Sequence, residues 1–346
     1  WTKSPSRPPA SGWYANRNAR IINRAAKDRE KKMKQKVSDY IADYIVKWGI
    51  RDVFTVTGGG AMHMNDAFGH HPGLHCTYQH HEQACAMAAE AYARVDNHMA
   101  AVCVTTGPGA TNAITGVLGG WMDSIPMIVF SGQARYATTV PSSGLPLRSM
   151  GVQECDIVPV ITPLTKYAVM VIRPEEIRYH LEKALYLASH GRPGPVWLDI
   201  PLDVQGAIIE TEELKGYDPA ENPEQKPQKI PEETIKKILD KIVESSRPVL
   251  FPGNGVRLAG AAEDFHRLAE VLGVPVITGM SSVDAIESDH PYFVGRSGST
   301  GTRPGNFALQ NSDLLLSIGN RQGFAQTGFQ FQDWARESYT ILNDID

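Results

Sequence analysis

A glutamate ends the run Tyr78-Gln-His-His-Glu82, where a short apolar segment gives way to an alanine-rich one. A carboxylate in that place can exchange a proton with a ligand. It can equally complement the positive end of a helix, worth about 0.3–1 kcal/mol. Two other stretches, Thr57-Gly-Gly-Gly60 and Thr106-Gly-Pro-Gly-Ala-Thr-Asn112, are glycine-rich. Backbone there can approach a ligand closely or simply turn tightly. Neither is a phosphate loop, because no Gly-Lys-Ser/Thr follows, and Gly58-Gly-Gly60 is not the G-x-G-x-x-G fingerprint of a dinucleotide-binding dehydrogenase. His63, His70, His71, His75, His80 and His81 invite a metal site, but H-E-x-x-H is absent and neighbours on a strand point to opposite faces. Structural or surface roles are expected for most of them, and no metal ligand is assigned.

The elements that would position these groups alternate. Val37, Ile41, Tyr44, Ile45 and Trp48 follow helical spacing, and Gly49 stops the helix. Strands are expected at 52–56, 74–79, 100–104, 126–130, 166–172 and 195–200, with helices to Phe68 and over 82–95, 110–120 and 174–189. Residues 134–165 read as loop, broken by Pro141, Gly144, Pro146 and Gly151. A second series follows: a helix from Pro231 to about Val243, a strand at 248–251, the Gly253-Asn-Gly255 turn, a helix over 260–272, and strands at 274–278, 314–318 and 339–342. Buried strands alternating with helices predict an α/β protein of two doubly wound parallel-sheet domains, whose ligands bind beyond the carboxyl ends of the strands. The predicted organisation is a leader (1–32), a first domain (33–202), a polar linker (203–230) and a second domain (231–346). The last strand reads as the point where the chain is cut.

A net charge of −4 offers no field for nucleic acid or acidic membranes. No apolar run reaches the roughly 18 residues that span a bilayer. Cys76, Cys85, Cys103 and Cys155 form no C-x-x-C pair, and three lie in apolar runs. Reduced thiols in a reducing, cytoplasmic compartment are expected.

Six motifs occur in a fixed order: Gly-Gly-Gly after the first strand, His81-Glu82-Gln83 after the second, Thr106-Gly-Pro-Gly-Ala-Thr-Asn-Ala-Ile-Thr-Gly116 after the third, then Met122-Asp-Ser-Ile-Pro-Met-Ile-Val-Phe-Ser-Gly-Gln133, Val152-Gln-Glu-Cys-Asp156 and Gly191-Arg-Pro-Gly-Pro-Val-Trp-Leu-Asp-Ile-Pro201. In this order they resemble the acetolactate synthase branch of the thiamine diphosphate-dependent enzymes, over that family's pyrimidine-binding domain and most of its central domain. The resemblance implies that Glu82 hydrogen-bonds N1′ of the cofactor's aminopyrimidine ring, so that the cofactor removes its own thiazolium C2 proton. It implies a cofactor-binding set of Gly58, Gly59, Glu82, Pro108, Gly109 and Asn112, and a second catalytic residue, Gln153, shaping the substrate pocket. It also implies a 2-oxo acid substrate such as pyruvate, whose two-carbon unit passes to an acceptor. The site would be shared between subunits of a homodimer or tetramer, approaching over Ala84, Met87, Ala88 and Ala91.

Several positions depart from that pattern. Leu202 stands where acetolactate synthases have Lys, and Val152 where they have Phe. The stretch Asn320-Arg-Gln-Gly-Phe-Ala-Gln-Thr-Gly328 keeps Arg321 but not the rest of the Arg-Phe-Asp-Asp-Arg flavin segment. Bound FAD therefore stays open, as does a decarboxylase, lyase or hydrolase of sugar or polyol metabolism. The family binds the diphosphate and Mg²⁺ through a third domain, with a Gly-Asp-Gly motif that this chain lacks. The chain alone is expected to be inactive, and a non-catalytic or regulatory relative is the alternative of another class.

Overall fold

The structure is a computed structural model that describes residues 34–223 and 229–345, in two compact units. The leader read at 1–32 lies outside the described residues.

The first unit opens with β1 (Lys34–Lys36) and α1 (Val37–Trp48). Val37, Ile41 and Ile45 of α1 are fully buried at four-residue spacing. Gly49, at φ 120°, closes the helix by donating to the carbonyls of Ile45 and Val46. Then follow β2 (Asp52–Thr55), α2 (Met62–His70), β3 (His75–Tyr78), α3 (Glu82–Asp96), β4 (Ala101–Val104), α4 (Pro108–Asn112), α5 (Ile114–Asp123), β5 (Met127–Gln133), β6 (Tyr167–Met170), α6 (Ile177–Ser189), β7 (Pro195–Pro201), α7 (Leu202–Gly206) and β8 (Ile208–Glu210). Six strands form one parallel sheet in the order β3-β2-β4-β5-β7-β6.

The two-residue period of the strands divides the core. Ala101, Cys103, Ile128, Phe130, Val196 and Leu198 pack on one face, with Ile41 and Phe68. Val102, Val104, Met127, Val129 and Trp197 pack on the other, with Ala86 and Ala89 of α3. Central strands buried on both faces read as continuous apolar runs.

Residues 203–223 are not the open linker that their polarity suggests. Strand β8 pairs antiparallel with β1, Gln35 opposite Ile209. Gln205, Ile209 and Leu214 are buried, and the Tyr217 ring packs edge-on against Tyr179 and tilted against Tyr186 of α6. A few well-placed apolar and aromatic residues suffice to bind a segment that is polar on average.

The second unit contains α8 (Glu232–Glu244), β9 (Pro248–Pro252), α9 (Asn254–Leu258), α10 (Ala262–Leu272), β10 (Val276–Thr278), β11 (Phe293–Arg296), α11 (Arg303–Asn311), β12 (Leu314–Ile318) and β13 (Tyr339–Asn343). Its sheet is parallel, in the order β11-β10-β9-β12-β13. Strand β11 and helix α11 are absent from the sequence reading. Gly295 interrupts β11, and Arg303-Pro-Gly305 reads as a breaker. The proline in fact occupies the first turn of α11, where its missing N–H costs nothing. Thr302 caps that turn, accepting from Gly305 N at 3.4 Å.

Candidate active site

Chain connections leave β2 and β4 in opposite directions, β2 toward β3 and β4 toward β5, although the two strands are neighbours. This is the topological switch at which open α/β sheets form a crevice at their carboxyl edge. The loops after β2, β3 and β4 carry the glycine run, the His-His-Glu sequence and the Thr-Gly-Pro-Gly turn.

Helix α3 starts at Glu82, and His81 caps it, its Nδ1 accepting from Gln83 N at 3.1 Å. Asn112, at the end of α4, donates Nδ2 to Glu82 Oε2 at 3.0 Å. A Cβ on Gly109 would stand 3.4 Å from Glu82 Oε1 and 2.7 Å from Thr105 Cγ2. The turn thus lies directly against the carboxylate, and Glu82 makes no second hydrogen bond among the described residues. The helix-dipole reading and the ligand reading of Glu82 are compatible: it occupies the first turn of α3 and also faces the Pro108–Asn112 turn.

The glycines differ in what they touch. A Cβ on Gly58 would lie 2.4 Å from Thr105 Cβ, whereas one on Gly59 meets nothing within 4 Å. Gly60 N donates to Thr105 Oγ1 at 3.0 Å. Gly107, at φ 58°, would drive a Cβ to 1.9 Å from the Gln153 carbonyl oxygen. Gln153 itself is exposed at φ 55°, beside exposed Val152. The structure therefore brings Glu82, Asn112, Pro108 and Gly109 together, seats Gln153 on Gly107, and packs Gly58 on Thr105. Only Gly59 of the glycine run faces open space.

Sequence reasoning missed the buried groups beneath these loops. Asp199 of β7 is fully buried. Ser131 Oγ donates to its Oδ1 at 2.5 Å, and Gln133 Nε2 donates to its Oδ2 at 3.1 Å. Trp197 Nε1 donates to Ser131 Oγ at 2.7 Å. Gln133 uses its other amide hydrogen on the Cys155 carbonyl at 2.8 Å, while its oxygen accepts from Thr106 Oγ1 at 2.6 Å and Ala134 N at 2.9 Å. Burial pushes the Asp199 carboxyl up to about 7, against the opposing pull of Ser131 and Gln133. Buried Glu154 holds the neighbouring loop, accepting from Val140 N at 2.9 Å and Met150 N at 2.8 Å. The one available signal was a run of polar residues, Ser131, Gln133 and Asp199, inside otherwise apolar strands.

The histidines are dispersed. His71 pairs with Asp43 and His75 with Asp52, each at 3.0 Å. Among the described residues no group of three or more His, Cys, Asp or Glu side chains could hold a metal ion. All four cysteines are free, and burial pushes Cys85 and Cys103 up to about 12. Among the described residues no helix is long and apolar enough to cross a membrane.

The second unit has its own switch between β9 and β12. There a Cβ on Gly253 would fall 2.1 Å from the Gly319 carbonyl oxygen, and Gly255 N donates to that oxygen at 2.9 Å. Two buried donors beside it, Asn254 Nδ2 and Gln322 Nε2, have no hydrogen-bond partner among the described residues.

A family profile described as the thiamine pyrophosphate enzyme N-terminal TPP binding domain matches residues 35–159, and one for the central domain of the same enzymes matches residues 235–346. The chain is 36% identical over 280 residues to an acetolactate synthase large subunit of Haemophilus influenzae, covering 79% of this chain and 46% of that protein. It is 36% identical over 310 residues to a probable acetolactate synthase large subunit of Methanocaldococcus jannaschii, covering 86% and 49%. Against acetolactate synthase isozyme 3 large subunit of Escherichia coli it is 31% identical over 291 residues, covering 82% and 48%. The chain spans about half the length of the curated relatives it matches.

Proposed function

The chain belongs to the thiamine pyrophosphate enzymes, with their N-terminal and central domains, and on that premise we propose that it is part of an acetolactate synthase-like catalytic subunit. The whole protein would decarboxylate a 2-oxo acid such as pyruvate and transfer the two-carbon unit to an acceptor. The observation that carries this reading is the Glu82 carboxylate, held by Asn112 at 3.0 Å against the glycine turn at the sheet's switch point.

Thiamine diphosphate, when bound, supplies an acidic thiazolium C2–H and an aminopyrimidine that can take its proton. Glu82 is the group of this chain that would hold a proton at ring atom N1′. Asn112 fixes one carboxylate oxygen, which orients the other. Gly109 makes room for Thr105 and lets the turn close on Glu82. Gly59 leaves the neighbouring wall open, and Pro108 starts the turn that carries Gly109 and Asn112. Gln153, exposed above Gly107, would meet the substrate. Val152 beside it is aliphatic and exposed, so a decarboxylase or lyase using another substrate is the second reading.

Helices α3 and α5 present exposed Met87, Leu118 and Met122, which suit a homodimer or tetramer closing the site from a second subunit. Mg²⁺ and the diphosphate would be held by a domain outside this chain. A flavin would lie at the second unit's switch, where Asn254 and Gln322 carry unused donors; the visible absorbance of the purified protein reports it. Free thiols, Cys85 and Cys103 among them buried, suit the cytoplasm.

The test is C2–H/D exchange of bound cofactor in the complete protein, read by quench and NMR. Glu82→Gln is expected to slow exchange by about 10²–10⁴-fold, the range of a positioned proton-transfer group. Unchanged exchange removes Glu82 from this role.

A further inference from the structure

We propose that Asp199 is a positioning residue of the site, which acts through Gln133 to hold the Thr106–Asn112 turn and the Gln153–Cys155 segment in register. The proposal rests on the thiamine diphosphate reading only in naming what these loops serve.

The argument is one of hydrogen-bond directions. Gln133 has two amide hydrogens and one oxygen, and all are used. Turning the amide over would set its NH₂ against the backbone donor Ala134 N, and its oxygen against the backbone acceptor Cys155 O. Those two backbone groups set which way Gln133 points, and Asp199 Oδ2, which takes its other amide hydrogen, holds it there. Once fixed, Gln133 ties the Thr106 hydroxyl, at the start of the cofactor turn, to the Cys155 carbonyl, two residues beyond Gln153. The same two loops meet directly where Gly107 faces the Gln153 carbonyl. Asp203 adds a parallel tie, accepting from Tyr136 N at 3.0 Å. Buried polar networks of this kind are costly when one member is lost, because the others cannot reach water.

The environment of Asp199 supplies a test that a merely structural carboxyl would not answer. Ser131 and Gln133 of β5 and Trp197 of β7 are neutral. The acidic or acidifiable groups near it are Asp156, Glu154 and Cys155, all on the loop that Gln133 ties. Burial is the dominant influence, so the closed loops favour the protonated acid. Opening that admits water becomes easier as pH rises toward neutrality.

The experiment is hydrogen exchange by mass spectrometry on the 346-residue chain between pH 5.5 and 8.5, expressed as protection factors. In the wild-type chain, peptides covering 106–112 and 150–156 are expected to lose protection as pH rises, by at most about tenfold per pH unit, the limit for one linked proton. Asp199→Asn, a neutral isostere, is expected to abolish that dependence. Gln133→Met leaves Asp199 in place and is expected to deprotect both loops while β5 and β7 stay protected. Loop protection in Asp199→Asn that follows pH as in the wild type overturns the proposal, as does Gln133→Met with both loops still protected. No cofactor enters this readout, so a negative result in the Glu82→Gln exchange assay would strike the proposed function alone.

Discussion

Replacing Gly116 by Ala tests how α3, and with it Glu82, is held. Helix propensity alone makes the change favourable by about 1 kcal/mol. Packing says otherwise. A Cβ at position 116 would lie 2.5 Å from Ala86 Cβ, 2.6 Å from Met87 N and 2.7 Å from Ala86 C. Carbon atoms rest about 3.5–4.0 Å apart, so α5 must retreat from α3 by about 1 Å. Two of the three atoms belong to the helix backbone and cannot rotate away. Overpacking of this kind costs about 1–3 kcal/mol, and the upper part of that range applies when backbone is struck. The net expectation is destabilisation by about 1–2 kcal/mol. Gly119 lies on the same helix, and a Cβ there meets nothing within 4 Å. Gly119→Ala should therefore stabilise by about 0.5–1 kcal/mol. Urea titrations read by hydrogen exchange of β4 and β5 peptides report the first unit alone. Adding Ala86→Gly to Gly116→Ala should restore only part of the loss, because Met87 N stays in the way. The reasoning is refuted if the two alanine substitutions shift stability in the same direction.

Two further outcomes are expected. Asp313 is held down to about 2, first by the Ser245 hydroxyl and then by the Ser246 and Arg247 amides at 2.8 Å. Its contribution is thus present above the ordinary carboxylate value of 3.8 and lost as pH falls toward 2; Asp313→Ala should flatten the acid dependence of hydrogen-exchange protection in β9 and β12, and an unaltered acid profile counts against the assignment. Gly58→Ala should destabilise the first unit by about 1–3 kcal/mol, whereas Gly59→Ala should leave it within about 0.5 kcal/mol yet weaken thiamine diphosphate binding by the complete protein in a calorimetric titration. Equal affinity in wild type and Gly59→Ala removes that residue from the cofactor wall.

Legibility in the sequence followed burial and periodicity. Helix α1 and the strands β4, β5 and β12 are visible because their apolar pattern is long or continuous and their ends carry turn chemistry. Strands β1 and β8 are three residues each and carry no usable pattern, and β11 is broken by Gly295. Their existence is decided by what they pair with. The site divides in the same way. Glu82, Gly109 and Asn112 lie in motifs at strand ends, so their proximity could be inferred from the parallel sheet. The Asp199 to Gln133 chain joins positions 66 residues apart, and only the register of β5 against β7, Ser131 opposite Asp199, brings them together. The alanine-rich helix divides as its spacing suggests, since none of Ala84, Met87, Ala88 and Ala91 is buried. Cys85, Ala86, Ala89 and Ala93 are buried within the first unit, while Met87 and Ala91 are exposed and remain available to a second subunit.

The glycines around Glu82 change the meaning of their own motif. A glycine-rich loop at a strand end suggests backbone brought up to a ligand, yet at Gly58 and Gly107 the missing side chain makes room for protein. Thr105 fills the first position and the Gln153 carbonyl the second. Gly132 belongs with them, since a Cβ there would fall 2.1 Å from the Gly60 carbonyl. These contacts lock the loops after β2, β4 and β5 onto one another, and with them the turn that faces the carboxylate. A site that must present one acid in a fixed place requires its surrounding loops to be rigid before any ligand arrives, because each loop left free would have to be ordered at the expense of binding. The absent side chains at these three positions provide that rigidity by letting backbone meet backbone or a single threonine. Gly59 is the position left for a ligand, since a Cβ there meets nothing within 4 Å, whereas Gly109 makes room for Thr105 and lets the turn close on Glu82.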